Sequence, residues 1–237
     1  MLSDCRLLGT DTTAAPAAVF PSAQGTPVNW RRLDYLARGN PRQRSAHALL
    51  SSGVWVALER LCQDLALVST VAIGLDRPGS DLDVLCQHPE PARLAALLRE
   101  QGWTASDKGH QVWLMEQTLT GPDQASWPVE LYVTPARLET LNGWRHLSLM
   151  AALLGHFGHD FYQAVLRLRL EAGLKGEAAI CRLLGLGCDP YTALLTLEGR
   201  DLATLHWQAP SQCDSPTPAG SPAPLCPEPI KSTHPTS

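Results

Sequence analysis

Asp81 and Asp83, separated by one residue, are the side chains with the plainest potential for chemistry in this sequence. In a strand, side chains at i and i+2 point the same way. Both carboxylates then share a face, while Leu82, Val84 and Cys86 turn to the core. Two carboxylates that close raise each other's pKa unless a cation sits between them. Mg²⁺ prefers oxygen ligands and commonly takes one or two carboxylates plus substrate phosphates. A pair of such ions, Mg²⁺ or Mn²⁺ in its place, can hold both the attacking and the leaving oxygen of a phosphoryl transfer. The pair needs a further anionic ligand from a neighbouring strand, and Glu130 suits as a lone charge inside the strand-like run 127–133. The plainer alternative is that Asp-x-Asp opens a strand as a turn cap facing water, and that Glu130 is merely solvated.

These side chains need a sheet to hold them. The pattern predicts short helices over 30–38, 42–51 and 54–64, then an apolar, β-rich strand over 65–74. The turn at Pro78-Gly79 leads into a second strand over 81–87. A helix is expected over 89–101, and strands over 111–118 and 129–134. From Pro135 the period becomes helical, over 138–154, 161–171, 177–184 and 191–198, with breaks at Gly155, Gly173 and Gly185 to Gly187. The expected class is α+β. A small mixed sheet with flanking helices spans 29–134, a helical C-terminal half spans 135–208, and compositionally biased tails at 1–28 and 209–237 read as disordered.

The stretch from Ala72 to Val84 resembles the signature of the DNA polymerase beta-like nucleotidyltransferase superfamily. Ala72 and Gly74 fall at the signature's steps, and Arg77-Pro78-Gly79-Ser80-Asp81-Leu82-Asp83 completes it without a gap. The resemblance implies a nucleotidyltransferase-like fold. It also implies two divalent ions on Asp81, Asp83 and Glu130, a nucleoside triphosphate as donor and a hydroxyl on an unknown acceptor. The signature's Gly-Ser pair is replaced by Ser69-Thr70. Thr70 keeps the hydroxyl that the family turns to phosphates, whereas Ser69 is expected to crowd the turn where backbone approaches phosphate. Most of the folded part also looks like a bacterial domain-of-unknown-function family of stand-alone nucleotidyltransferase-like proteins. That likeness rests on Tyr35 to Asn40 with Arg42-Gln43, on Ser80 to Cys86, Val129 to Leu131, Arg145-His146, Gly173 to Ala179 and Gly187 to Tyr191.

Further candidates surround the carboxylates. Ser69, Thr70 and Ser80 are candidate nucleotide contacts. Lys175 is placed to meet a triphosphate as a point charge, or else to cap the carbonyls of the preceding helix. Arg145 and His146 on the long helix could bind phosphate or an acceptor hydroxyl, although a helical His is more often structural. Arg38, Arg42 and Gln43 line an entrance or simply end a solvated helix. Asp76 is an accessory ligand or a turn former. The spacing of His156, His159, Cys181 and Cys188 matches no closed zinc site.

Composition narrows the setting. The formal net charge of -4 argues against strong non-specific nucleic-acid binding. Seven cysteines without a C-x-x-C pair read as reduced thiols, with Cys86 packing as a small hydrophobe. No secretory pattern and no membrane-length apolar run is present, so a soluble cytoplasmic protein is expected. Three functional readings are open at this point: a nucleotidyltransferase, a nucleotide-binding module with weak or no catalysis, and a toxin-like transferase modifying RNA or protein.

Overall fold

The computed structural model describes residues 29–207 apart from Cys188. The two terminal segments expected to be disordered lie largely outside the described residues, as do Cys5, Cys213 and Cys226. Five strands form one mixed sheet: β1 (Asp64–Leu67), β2 (Leu82–Gln87), β3 (Thr104–Gly109), β4 (Val112–Thr120) and β5 (Ser126–Thr134). Their spatial order is β1-β2-β5-β4-β3, and only the β2/β5 pair is parallel. The helices are α1 (Pro41–Leu49), α2 (Trp55–Glu59), α3 (Pro91–Glu100), α4 (Asn142–Glu171), α5 (Gly176–Leu183) and α6 (Pro190–Leu195). This is the α+β architecture expected, with its helices concentrated after β5.

Local chemistry explains the element ends. Asn40 caps α1 by accepting from the Gln43 amide, while the Gln43 side chain accepts from the Asn40 amide; this reciprocal box satisfies two otherwise orphaned donors. Along β5, Trp127, Val129, Leu131 and Val133 are buried, whereas Ser126 and Pro128 are exposed and Glu130 and Tyr132 half-buried. That alternation gives the sheet one apolar face and one face free to carry charge. The Trp127 indole donates to Ser45 Oγ at 3.1 Å, which fixes α1 on the apolar face. A Cβ on Gly143 would lie 3.3 Å from Val68 and 3.6 Å from Leu85, so glycine lets the start of α4 sit directly on β2 and on the residue that follows β1.

Several expectations are corrected. The run 65–74 is not one strand: β1 stops at Leu67, and Thr70–Ile73 turns into a 3-10 helix capped by the Ser69 hydroxyl. Apolar content alone does not separate a strand from a buried turn of helix. Strand β3 was not anticipated, because its residues are polar and largely exposed, as suits a sheet edge. The long helix breaks at Gly158, which has φ 75° and ψ -158°, rather than at Gly155.

Cys62 and Cys86 form a disulfide with Cα atoms 6.1 Å apart, which corrects the expectation of reduced thiols for this pair. The chain leaves α2 and returns to pair β1 with β2, so Cys62 meets Cys86 across 24 residues that no spacing rule connects. Cys181 is buried and free. Protein purified without reductant and unfolded is expected to titrate with two fewer thiols than after reduction. Equal counts in a thiol assay would remove the bond.

Candidate active site

β2 and β5 carry the carboxylates. Asp83 lies directly opposite Glu130 in the parallel β2/β5 register, and Glu130 lies opposite Glu116 of β4. Asp81 is exposed and sits immediately ahead of β2. Opposed residues on paired strands project to one face, so Asp83, Glu130 and Glu116 form an acidic row across three strands. Beside it is an open cleft of about 360 Å³ lined by Asp81, Glu130 and Glu116 together with Thr104, Thr118 and Pro128. Glu116 was missed in the sequence because only the β4/β5 register brings it to Glu130.

Charge is costly here. Burial pushes the Asp83 carboxyl up to about 7, with Asp81, Glu130 and Glu177 adding repulsion and Lys175 partly offsetting it. Burial also raises Glu130, helped by Asp81 and Glu116 and opposed by Lys108. Asp83 and Glu130, two carboxyls that resist ionising beside one another, suit a hard divalent cation, which would stabilise their charged forms. Among the described residues, however, no three His, Cys, Asp or Glu side chains are gathered tightly enough to hold an ion.

The loop ahead of Asp81 is tied down at many points. Ser69 is fully buried with φ -69° and ψ 152°, an extended conformation open to any residue, so glycine is not needed there. Its hydroxyl accepts from the Val71 amide at 3.2 Å and donates to the Asp81 carbonyl at 2.7 Å. Ser69 thereby fastens its turn to the residue ahead of β2, and its hydroxyl proton is engaged by the Asp81 carbonyl. Gly74 (φ 68°) and Gly79 (φ 83°) occupy left-handed positions that favour glycine. The Ser80 hydroxyl accepts from the Arg77 amide at 2.9 Å, closing the turn. Thr70 is half-buried, and its hydroxyl receives the Arg169 guanidinium at 3.3 Å.

The start of α1 is not a solvated entrance. Gln43 is fully buried and donates to the Val71 carbonyl at 2.9 Å. Asp76 is buried, accepts from Asn40 Nδ2 at 3.0 Å and pairs with Arg42 Nε at 3.2 Å, so it braces the loop and does not join the acidic row. Arg42 also donates to the Ser80 carbonyl and stacks 4.1 Å above the Trp127 ring. Arg38 is exposed and makes no comparable contact among the described residues.

The C-terminal helices contribute the remaining candidates. Lys175 Nζ donates to the Tyr191 hydroxyl at 2.9 Å, and its charge acts on Asp81 and Asp83. The cation that meets the carbonyl after α4 is Arg77, 2.8 Å from the Gly173 oxygen, so Lys175 does not serve as that cap. Arg145 is gripped by both carboxylate oxygens of Glu198 and by Asn142, which occupies the fork expected for phosphate. His146 is buried against the Tyr191 carbonyl, 3.0 Å away, in a structural position.

These features define an α+β protein with an acidic row at the mouth of a parallel strand pair. A family model described as Domain of unknown function (DUF4269) matches residues 47–197, and the chain belongs to that family. The acid-bearing strands fall inside the matched range, whereas Asn40, Arg42 and Gln43 precede it. No curated protein matches the chain in sequence. Among solved structures the chain is similar to the MgGTP-bound Cid1 poly(U) polymerase, with a TM-score of 0.43 and 15% identity over 65% of this chain and 48% of that one. It is also similar to the polymerase core of TRAMP, an RNA surveillance complex, with a TM-score of 0.35 and 17% identity over 71% of this chain and 62% of that one. The chain thus spans about half the length of the Cid1 polymerase it resembles.

No helix among the described residues is long and apolar enough to cross a membrane.

Proposed function

We propose that this chain is a divalent-metal-dependent nucleotidyltransferase that moves a nucleotidyl group from a nucleoside triphosphate to a hydroxyl of its acceptor. The observation that carries the reading is the direct opposition of Asp83 and Glu130 on parallel strands, with Asp81 two residues ahead of Asp83. Asp81, Asp83 and Glu130 would hold two Mg²⁺ ions, or Mn²⁺ in their place. When bound, the ions neutralise charge on the attacking and leaving oxygens. The acceptor oxygen forms a bond to the α-phosphorus as the bond to pyrophosphate breaks, and pyrophosphate leaves with that electron pair. Glu130, held above the ordinary carboxylate range, is suited either to complete the ligand set or to accept the acceptor's proton. Thr70 and Lys175 are the side chains available to phosphate, and Ser69, Ser80, Arg42 and Asp76 hold the Asp81 loop in place. Positioning and charge neutralisation supply the rate.

The test is incubation with each α-labelled nucleoside triphosphate, Mg²⁺ or Mn²⁺, and fractionated cell extract. Transfer of label with release of pyrophosphate, lost in Asp83→Asn, is expected. Absence of both products with all four nucleotides would sink the assignment. Lys175→Met is expected to raise the nucleotide KM about tenfold and to leave the melting temperature nearly unchanged, because the lysine is exposed. Steady-state kinetics at varied nucleotide concentration checks this.

A second reading, a nucleotide-binding module without turnover, is favoured by the looseness of the acidic row, which brings no three ligands around one point among the described residues. Thermal-shift titration with Mg-nucleotides separates the two: stabilisation without label transfer selects the module.

A further inference from the structure

We infer that Tyr162 is a positioning residue for the acidic site: placed by the break in α4 at Gly158, its hydroxyl holds the carbonyl of Gly74 and so sets the loop that delivers Asp81. Tyr162 is buried and donates to the Gly74 carbonyl at 2.8 Å, across 88 residues of chain. Gly74 is itself buried, and among the described residues no backbone amide donates to that carbonyl. The tyrosine hydroxyl therefore satisfies an acceptor that would otherwise be stranded. Burial pushes the Tyr162 hydroxyl up to about 12, with Asp76 adding to the shift, so it remains a donor at neutral pH.

The contact lies where it can control Asp81. Gly74 ends the 3-10 helix Thr70–Ile73, and the Leu75 amide behind it donates to the Thr70 carbonyl at 3.0 Å. That short helix starts at Ser69, whose hydroxyl holds the Asp81 carbonyl. A movement of Gly74 is thus passed to Asp81 through one turn of helix and one hydrogen bond. Two further bonds come from the same part of the chain. Arg169, two turns beyond Tyr162 and on the same helix face, donates to Thr70 Oγ1, and the Gly173 carbonyl accepts from Arg77. The loop from Thr70 to Arg77 is held at three points by a stretch remote from it in sequence.

The break at Gly158 puts that stretch in reach. An unbroken helix of the 30 residues in α4 would run about 45 Å in one direction. Its first part starts at Gly143 against Val68 and Leu85. At Gly158 the backbone takes φ 75° and ψ -158°, a combination essentially confined to glycine. A Cβ there would meet nothing within 4 Å, so glycine serves the conformation rather than close packing. Beyond this kink the helix takes a new direction, and Tyr162 follows one turn later.

The consequence for transfer rests on the nucleotidyltransferase reading, but the contact can be tested without it. The experiment compares the full chain as wild type, Tyr162→Phe and Gly158→Ala. Leu98→Val, a buried change on α3, serves as the control for general destabilisation. Amide hydrogen exchange is followed over residues 69–77 and over β4 and β5, and steady-state transfer is measured on the same preparations. Tyr162→Phe is expected to speed exchange over 69–77 at least about tenfold, with a smaller change in β4 and β5. Its kcat is expected to fall about tenfold with KM nearly unchanged. Leu98→Val is expected to speed the sheet at least as much as the loop and to keep its kcat. Gly158→Ala is expected to reproduce the loop signature of Tyr162→Phe. Unchanged exchange over 69–77 in Tyr162→Phe, or acceleration there no greater than in β4 and β5, overturns the positioning role. A wild-type kcat in Tyr162→Phe with the loop loosened overturns it as well. Unchanged loop exchange in Gly158→Ala overturns the part assigned to the break, and should that variant fail to fold, Tyr162→Phe decides alone. Absence of transfer by wild type, with the loop signature of Tyr162→Phe intact, would remove the transferase reading and leave the contact standing.

Discussion

Asp83→Asn is expected to lower nucleotidyl transfer by about 10²–10³-fold or more while raising the thermal stability of the ligand-free protein at pH 8. The two effects have one cause. In the folded protein the Asp83 carboxyl keeps its proton up to about 7, because it is buried beside Asp81, Glu130 and Glu177. In the unfolded chain it ionises near the usual value of about 4. Between these values the folded state holds more protons, so stability falls as pH rises through the window. Below about pH 4 both states are protonated and the penalty is absent. At pH 8 it is fully present, of order 2–4 kcal/mol. Asparagine removes it, and the melting temperature is expected to rise by about 5–10 °C at pH 8 with little change at pH 4. A divalent ion should stabilise wild type at pH 8 and have much less effect on the variant, since binding needs the charged carboxylate. Melting curves at both pH values, with and without Mg²⁺, check each part. A variant that melts below wild type at pH 8 would mean that Asp83 supports the fold rather than burdening it.

Asp76→Ala is expected to destabilise the protein by about 2–3 kcal/mol and to slow transfer about tenfold. Asp76 accepts from Asn40 and pairs with Arg42. Losing the carboxylate leaves the Asn40 amide without its acceptor and the Arg42 Nε without its anion. The Arg42 side chain is 35% exposed, which softens the cost of stranding its charge. Its stacking on Trp127 and its bond to the Ser80 carbonyl persist only if the guanidinium stays in place. Ser80 precedes Asp81, so looseness there would move a carboxylate of the proposed site. The melting temperature is expected to fall by about 4–10 °C, and kcat is expected to fall more than KM rises. Calorimetry and steady-state kinetics on the same preparation measure both. Wild-type melting in Asp76→Ala would show that the brace carries no load.

Much of the site could be read from order along the chain. Order along the chain sets Asp81 at the entry to β2 and Asp83 inside it, two residues apart, and a lone charge in an apolar strand singles out Glu130. Gly74 and Gly79 are legible for the same local reason, since each needs a left-handed backbone that other residues resist. The polar edge strand β3 was illegible because exposed residues at a sheet edge lack the apolar period that reveals strands. Ser69 carries no local signature, because its conformation is ordinary and its hydroxyl bonds to the Asp81 carbonyl twelve residues away.

Taken alone, the amino-acid order determined the α+β class, the acidic pair and the loop that precedes it, because each depends on neighbours within a strand or a turn. Tertiary structure decided the rest. The β4/β5 register set Glu116 opposite Glu130, the return of β1 brought Cys62 to Cys86, and the packing of α4 left Arg169 buried against Thr70. The physical reason is shared by all three. Register, pairing and burial arise between segments remote in sequence, and no local pattern of residue types records which remote partner a side chain will meet.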